Sequence, residues 1–170
     1  MATPILQAIR DAYPGAQITL GLRPHLEAVV RGLTSFDAIH PHMPKLGFSG
    51  IRALGRELAR GNFDAAIVLP NSFETALTVA LAGIPRRFGY SDNARGWLLT
   101  DTLTAPKQQF RKIPAPMPHY WSKLLVLAGI EVGSIRPRLS LDTKTRIEVR
   151  AWRQANGIRE GDRLILAAPG

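Results

Sequence analysis

Residues 65–90, AAIVLPNSFETALTVALAGIPRRFGY, decide the fold class of this 170-residue chain. The segment opens at 65–70 with an uninterrupted apolar run, which is typical of a strand covered on both faces. Residues 72–82 have helical spacing and end at Gly83, and residues 87–90 predict a second short strand. A strand, a helix and a strand joined by short connections are typical of a parallel sheet covered by helices.

The same alternation extends along the rest of the chain. Further helices are predicted at 3–13, 24–33, 49–60, 119–128 and 143–156, and further strands at 17–22, 37–40, 102–103 and 163–168. Prolines and Gly96 interrupt residues 91–118, where we expect loops and one short strand, and residues 133–142 predict an extended linker. The sequence therefore predicts an α/β fold, a Rossmann-like parallel sheet flanked by helices.

Helix ends and buried faces can also be predicted from these patterns. Thr3 is expected to cap the first helix, with Pro4 in its first turn. The residues expected to point inward from the second helix and from the last one are Leu26, Val29 and Val30, and Ile147, Val149 and Trp152.

The charge balance restricts the class of partner. Twenty-two Lys and Arg residues against thirteen Asp and Glu residues give a net charge of +9. Such a surface favours nucleic acid, a phosphorylated sugar or an anionic membrane, and it does not choose among them. The absence of cysteine excludes thiol catalysis and disulfides from this sequence.

The start of the chain does not have a secretory pattern, because Arg10 and Asp11 interrupt its apolar residues. We therefore expect a cytoplasmic location, and the basic charge allows a peripheral position at the inner face of the cytoplasmic membrane.

Asn71 and Ser72 stand where a predicted strand ends and a helix begins. Their side chains and the unpaired backbone N–H groups of such a helix end can receive an anion or a sugar hydroxyl. The alternative is helix capping, in which Asn71 reaches forward and Glu74 reaches back as a capping box.

Two further features carry positive charge. Arg52, Arg56 and Arg60 are four residues apart on one predicted helix, which suits phosphate or carboxylate recognition or, alternatively, a solvated face with Glu57 as partial counter-ion. Between residues 86 and 123, basic residues are interleaved with aromatic ones, Trp97 and Tyr120 among them. Such a mixture can bind sugar rings, lipid headgroups or single-stranded nucleic acid, or it can be a surface loop with anchoring aromatics.

Several segments resemble the ADP-heptose:lipopolysaccharide heptosyltransferases of glycosyltransferase family 9. Residues 1–10 (MATPILQAIR) with 13–16 (YPGA) are similar to the first helix of that family. Residues 69–73 (LPNSF) with 82–90 (AGIPRRFGY) resemble the heptosyltransferase II branch in particular. Residues 168–170 (APG) resemble the start of the loop that opens the second lobe of the family.

The resemblance implies a two-lobed GT-B glycosyltransferase, with residues 1–142 as an acceptor-binding lobe and 143–170 as the linker helix and first strand of the donor lobe. It implies transfer of heptose from ADP-heptose to the inner core of lipopolysaccharide, without a metal ion or cofactor. The first strand of the family and its catalytic aspartate would lie before Met1, so the chain is expected to be a fragment or an incomplete gene prediction that is inactive alone.

The resemblance also assigns the basic residues to an anionic acceptor. The expected acceptor-binding residues are Asn71, Ser72, Arg52, Arg56, Arg60, Arg86, Arg87 and Arg95. Relatives commonly carry a basic residue where this chain has Glu74, which weakens the case for phosphate contact at that position. Nucleic acid is not expected as a partner under this hypothesis. The alternative is a non-enzymatic basic α/β module that binds nucleic acid or an anionic membrane.

Overall fold

The computed structural model describes residues 2–41, 47–105, 107–108, 111–112 and 116–165. Six α-helices lie in these ranges: α1 (Thr3–Ala12), α2 (Glu27–Val30), α3 (Phe48–Ala59), α4 (Phe73–Leu81), α5 (Met117–Leu127) and α6 (Thr143–Ala155). Seven strands are interleaved with them: β1 (Thr19–Leu22), β2 (Ala38–Pro41), β3 (Ala65–Val68), β4 (Arg86–Tyr90), β5 (Asp101–Leu103), β6 (Lys107–Gln108) and β7 (Arg111–Lys112). Two 3-10 helices, Pro24–Leu26 and Gly96–Leu98, precede α2 and β5.

The parallel strands form two groups. β1 pairs with β2 from Thr19–Ala38 onward, and β3, β4 and β5 form a second sheet in that order. Within the described residues, no backbone pairing joins β1 to β3. The predicted parallel α/β fold is confirmed, but it consists of two parallel sheets and a short antiparallel pair, β6 with β7, rather than one continuous sheet.

Helices cover both faces of the β3–β4–β5 sheet because neighbouring strand residues point to opposite sides. Ile67 packs with Ile5 of α1 and Leu125 of α5 in the core on one face. Val68 packs with Ala76 of α4 and Leu98 of the 3-10 helix on the other face. The apolar run of β3 is thus covered on both sides, as its sequence predicted.

α1 also reaches the β1–β2 sheet. Arg10, in its last turn, forms an ion pair with Asp37, and that carboxylate accepts a hydrogen bond from the backbone N–H of Ile18 just before β1. The hydrogen bond from Ile18 and the contact with Arg10 lower the pKa of Asp37 below its ordinary value of 3.8. α1 therefore contacts both sheets, through Ile5 on one side and Arg10 on the other.

Some predicted details are wrong. Ala2, not Thr3, precedes the first turn of α1, and Thr3 Oγ1 instead accepts a hydrogen bond from the backbone N–H of Arg138 at 3.0 Å. Leu26 and Val29 are exposed, because the predicted helix 24–33 is only one 3-10 turn and one α-turn long and presents no continuous inward face.

The end of the chain also differs from expectation. The three apolar residues expected to be buried contacts of α6 are exposed: Ile147, Val149 and Trp152. Residues 163–165 of the predicted last strand are not in a strand, and residues 166–170 lie outside the described residues, as does the segment 168–170 that carried part of the resemblance. No helix in the described part of the chain has the length and apolar character needed to cross a membrane.

Candidate functional site

The candidate site lies at the carboxyl ends of β3 and β4, where parallel α/β sheets commonly bind ligands. The chain leaves β3 through the loop formed by Pro70, Asn71 and Ser72 and enters α4 directly. We call residues 70–72 the β3–α4 loop. The segment after β4, residues 91–95, folds back against this loop, and Tyr120 of α5 approaches it from a third element.

Arg95 holds the β3–α4 loop from beneath. It is fully buried, and its Nε donates a hydrogen bond to the carbonyl oxygen of Tyr90 at 2.7 Å. Nη1 donates to the carbonyl oxygens of Pro70 and Ser72, and Nη2 donates to Oδ1 of Asn71 at 2.8 Å. Burial lowers the pKa of this guanidinium from its ordinary value, and the negative charge of Asp92 opposes that shift. Arg95 is thus an internal clamp of the loop, and its side chain is fully buried; that it binds the acceptor stays a prediction.

Asn71 is held between two neighbours. While its Oδ1 accepts from Arg95, its Nδ2 donates to the hydroxyl of Tyr120 at 2.8 Å, and its backbone carbonyl accepts from Asn93 Nδ2 at 2.7 Å. Because both ends of the amide are engaged, Asn71 does not reach forward to cap α4 as the capping-box alternative proposed. Ser72 is the cap, since its Oγ accepts the backbone N–H of Thr75 at 3.2 Å.

Two stacked tyrosines close the site on the α5 side. The rings of Tyr90 and Tyr120 are 3.7 Å apart between centroids and inclined by 14°. The hydroxyl of Tyr90 donates to the backbone carbonyl of Tyr120. Burial raises the pKa of Tyr90 to about 12 and also raises that of Tyr120, with the buried carboxylate of Asp92 adding to both shifts. Both phenols are therefore neutral hydrogen-bonding groups at neutral pH.

The turn after β4 contains strained backbone. Asn93 and Ala94 have φ angles of 60° and 54°, in the left-handed region that residues with a Cβ rarely adopt. Arg95 follows at once and is anchored under the β3–α4 loop, so the strained turn is fixed by these hydrogen bonds. Such strain persists where surrounding contacts determine it, and it is concentrated at functional sites.

An open groove of about 320 Å³ lies beside the tyrosine pair. Its lining comes from the carboxyl ends of β4 and β5 and from one side of α5: Tyr90, Leu103, Thr104, Lys123 and Val126. Lys123 is the cationic residue of this set, so the groove offers apolar walls with one positive charge.

The arginines of α3 are exposed, but they are spread along the helix. Helices that follow parallel strands begin at the carboxyl edge of the sheet and run back to the amino edge. Arg52 is one turn from the start of α3, and Arg60 follows its last residue, about 12 Å further along the axis. Residues 60–64 join the end of α3 to the start of β3, so the last turn of α3 lies toward the amino edge of that sheet. Arg52 therefore lies on the half of α3 that is nearer the carboxyl edge, and Arg56 and Arg60 lie progressively further from it.

Arg86 and Arg87 occupy the opposite edge because they begin β4. Arg86 contacts Asp101 at 3.8 Å and lies over the ring of Phe88, 4.7 Å from its centroid. Arg87 donates to the backbone carbonyls of Leu98 and Ile84. The eight predicted acceptor residues thus fall into four groups. Asn71 and Ser72 lie at the carboxyl edge, and Arg95 lies buried behind it. Arg52, Arg56 and Arg60 follow one another along α3 away from that edge, and Arg86 and Arg87 are separated from it by the length of β4.

Sequence reasoning missed Tyr90 and Asp92 as parts of the site and assigned Tyr120 no position in it. Tyr90 and Asp92 stand at the end of a short predicted strand, which is the signal that could have placed them beside Asn71.

The chain belongs to glycosyltransferase family 9 (heptosyltransferase), whose sequence profile matches residues 51–151. It is similar to lipopolysaccharide heptosyltransferase 2 of Escherichia coli (strain K12), with 44% identity over 57 residues, and to the protein of the same name from Salmonella typhimurium, with 43% identity over 56 residues. Those segments cover 34% and 33% of this chain and 16% of each relative.

Two solved structures share the fold. The E. coli ADP-heptose lps heptosyltransferase II superposes with a TM-score of 0.67 at 22% identity, over 93% of this chain and 46% of that one. A family 9 glycosyltransferase from Veillonella parvula DSM 2008 gives 0.76 at 20% identity, over 95% and 46%. The chain thus spans about half the length of these structures and has the α/β fold of GT-B glycosyltransferases.

Proposed function

We propose that this chain is the acceptor side of a heptosyltransferase that adds heptose from ADP-heptose to the inner core of lipopolysaccharide. The observation that carries the proposal is the family 9 profile across residues 51–151, which includes the β3–α4 loop and the clamp that holds it. The names of the matched relatives supply lipopolysaccharide and heptose, that of the E. coli structure supplies ADP-heptose, and the family resemblance supplies the inner core as acceptor. The basic charge of the chain, +9, suits an acceptor rich in acidic sugars and phosphate.

Within this proposal the predicted residues have different roles. Ser72 and Arg52 contact the acceptor, because both are exposed at or near the carboxyl edge. Asn71 and Arg95 are positioning residues that fix the β3–α4 loop. Arg56, Arg60, Arg86 and Arg87 contribute long-range attraction rather than direct bonds, since they lie away from that edge and Arg86 and Arg87 have partners of their own.

The proposed domain organisation is an acceptor lobe at residues 1–142 and the beginning of a donor lobe at 143–170. One further parallel strand belongs between β1 and β3. Supporting this, the two sheets are not paired to each other in the described residues, yet α1 contacts both through Ile5 and Arg10. The binding site for ADP-heptose and the catalytic base would be provided by parts of the enzyme other than this chain. The chain alone would therefore not transfer heptose.

We further propose that the enzyme acts in the cytoplasm, at the inner face of the membrane that holds its acceptor, and that nucleic acid is not its partner. A binding titration tests the choice between the saccharide and nucleic acid as partner. The chain is mixed with delipidated, phosphorylated inner-core oligosaccharide or with single-stranded RNA, at 50 and 200 mM salt. At 200 mM salt we expect the oligosaccharide to bind more tightly than the RNA does, and Arg52→Ala to weaken oligosaccharide binding by about three- to tenfold.

Arg86→Ala is the matched control, because it removes the same charge from the opposite edge and should change the affinity less than Arg52→Ala. Tighter binding of RNA than of oligosaccharide at 200 mM, with a steep loss of RNA affinity between the two salts, would favour the non-enzymatic module instead.

A further inference from the structure

An exposed aromatic pair lies beside the β3–α4 loop and has no role in the core. Trp97 is 74% exposed and Phe73 is 39% exposed. Their ring centroids are 6.2 Å apart, and the rings are inclined by 53°. Large aromatic surfaces left in water are unfavourable, and neighbouring Leu98 and Leu99 show that the same segment can bury its apolar residues.

The indole ring of Trp97 is fixed by a hydrogen bond, and the backbone of Phe73 is fixed by the start of α4. The indole Nε1 of Trp97 donates to the carbonyl oxygen of Ala94 at 3.0 Å, and Ala94 is part of the strained turn. Arg95 anchors that turn beneath the β3–α4 loop. Phe73 is the first residue of α4 and directly follows the cap, Ser72. The pair is therefore a preorganised surface, so a ligand would not need to order it on binding.

The surroundings select the chemistry of the ligand. Ser72, the cap of α4, is exposed and Thr75, in the first turn, is half-buried; their hydroxyl groups lie 2.9 Å apart and can exchange hydrogen bonds with a polar ligand. Glu74 is in the same turn and is exposed, which disfavours phosphate or an anionic lipid headgroup at this position. An aromatic face with hydroxyl neighbours and a negative charge suits a neutral, hydroxylated ring that offers C–H groups to the negative face of the aromatic system.

We propose that Phe73 and Trp97 form a stacking platform for one neutral sugar ring of the acceptor. This inference rests on the proposed function, because the saccharide it needs is that acceptor. It adds a division of the site: the platform takes an uncharged ring, and the basic residues near the carboxyl edge attract the acidic ones.

The test uses the whole chain and the delipidated, phosphorylated inner-core oligosaccharide, with dissociation constants measured by calorimetry. Trp97→Ala should weaken binding about tenfold or more, as truncation of a buried aromatic anchor does, and Trp97→Phe should lose less. Trp152→Ala is the matched control: Trp152 is an exposed tryptophan on α6, and its removal should leave the affinity unchanged. The change in tryptophan emission on adding oligosaccharide should shrink in Trp97→Phe, a variant that keeps an aromatic ring on the folded chain.

The outcomes separate this inference from the proposed function. Unaltered oligosaccharide affinity in Trp97→Ala, with the wild type binding normally, would overturn the platform and leave the acceptor function standing. A wild-type chain that does not bind the oligosaccharide would overturn both. Loss of binding to phosphatidylglycerol vesicles or of self-association in Trp97→Ala, with oligosaccharide affinity intact, would also overturn the platform and assign the pair to a membrane or to a second copy.

Discussion

Arg95 Nη2 donates a hydrogen bond to Oδ1 of Asn71 at 2.8 Å, across 24 residues of sequence. The bond joins the segment after β4 to the loop after β3. Asn71 Nδ2 in turn donates a hydrogen bond to the hydroxyl of Tyr120 in α5. Three elements thus meet at the carboxyl edge through one amide side chain. The β3–α4 loop is consequently a fixed surface, and its shape depends on a cation that a ligand does not need to touch.

Replacing Arg95 by Met should lower the free energy of unfolding by about 3 kcal/mol. The carbonyl oxygens of Pro70, Ser72 and Tyr90 would lose their donor in a buried place, and each unpaired group costs about 1–3 kcal/mol. Urea denaturation measures the change, with Arg52→Met as control, because an exposed arginine should stay within about 0.5 kcal/mol of wild type. Equal effects of the two substitutions would contradict the clamp.

Removing the hydroxyl of Tyr120 should cost about 1 kcal/mol, because Tyr120→Phe keeps the ring stacked on Tyr90 but leaves Asn71 Nδ2 without its acceptor. Tyr120→Leu should cost more, since it also removes the stack. Tyr13→Phe removes a hydroxyl from an exposed tyrosine and should change the free energy of unfolding by less than about 0.5 kcal/mol. A Tyr120→Phe variant as stable as wild type would show that the hydroxyl does not support Asn71.

Stability should depend on pH through Asp37. Its folded-state pKa lies below the ordinary 3.8, mainly because it accepts the N–H of Ile18 and secondly because of Arg10. A lowered carboxyl pKa contributes stability that is present above about pH 4 and is lost as pH falls through the folded-state pKa. Thermal unfolding from pH 7 to pH 2 should therefore show a gap between wild type and Asp37→Asn that narrows below about pH 4. A gap that stays constant down to pH 2 would refute the ionic contribution.

A side chain at Gly32 should disturb the packing of residues 133–142, the segment before α6. A Cβ on Gly32 would clash with the carbonyl oxygen of Ser140 and lie 2.8 Å from the backbone nitrogen of Asp142, so residues 140–142 must move to accept it. Gly32→Ala should expose residues 133–142 to limited proteolysis and cost about 1–3 kcal/mol. Gly133 lies in the same segment, and an added Cβ there has nothing within 4 Å. The protease should therefore cleave Gly133→Ala at the wild-type rate. Equal cleavage of both variants would argue against this packing.

The β3–α4–β4 unit was predictable because its signals are local. An apolar run, a cap and a closing glycine lie within 26 residues, and each acts on its neighbours in the chain. Ser72 as cap and Gly83 with φ of 71° at the helix end follow the same local rules.

The role of Arg95 was not predictable, because its partners are fixed by tertiary structure. A basic residue in a polar loop predicts a surface charge, and only the pairing of β3 with β4 brings it beneath Pro70 and Asn71. The division of the arginines between two edges has a similar cause. Sequence spacing gives the position of Arg52 or Arg86 within a helix or strand, but not which edge of the sheet binds the ligand. For α6 the pattern indicated an apolar face, and the described residues leave that face exposed.

The most direct test of the acceptor-side account is to map backbone amide shifts by heteronuclear NMR as phosphorylated inner-core oligosaccharide is added to the chain. The account predicts that the largest shifts fall on the carboxyl edge, at residues 71–75 and 93–97 and at Arg52, with small shifts at Arg86 and Gly61 on the amino edge. Shifts centred on Arg86 and Gly61, or no shifts at saturating oligosaccharide, would contradict it.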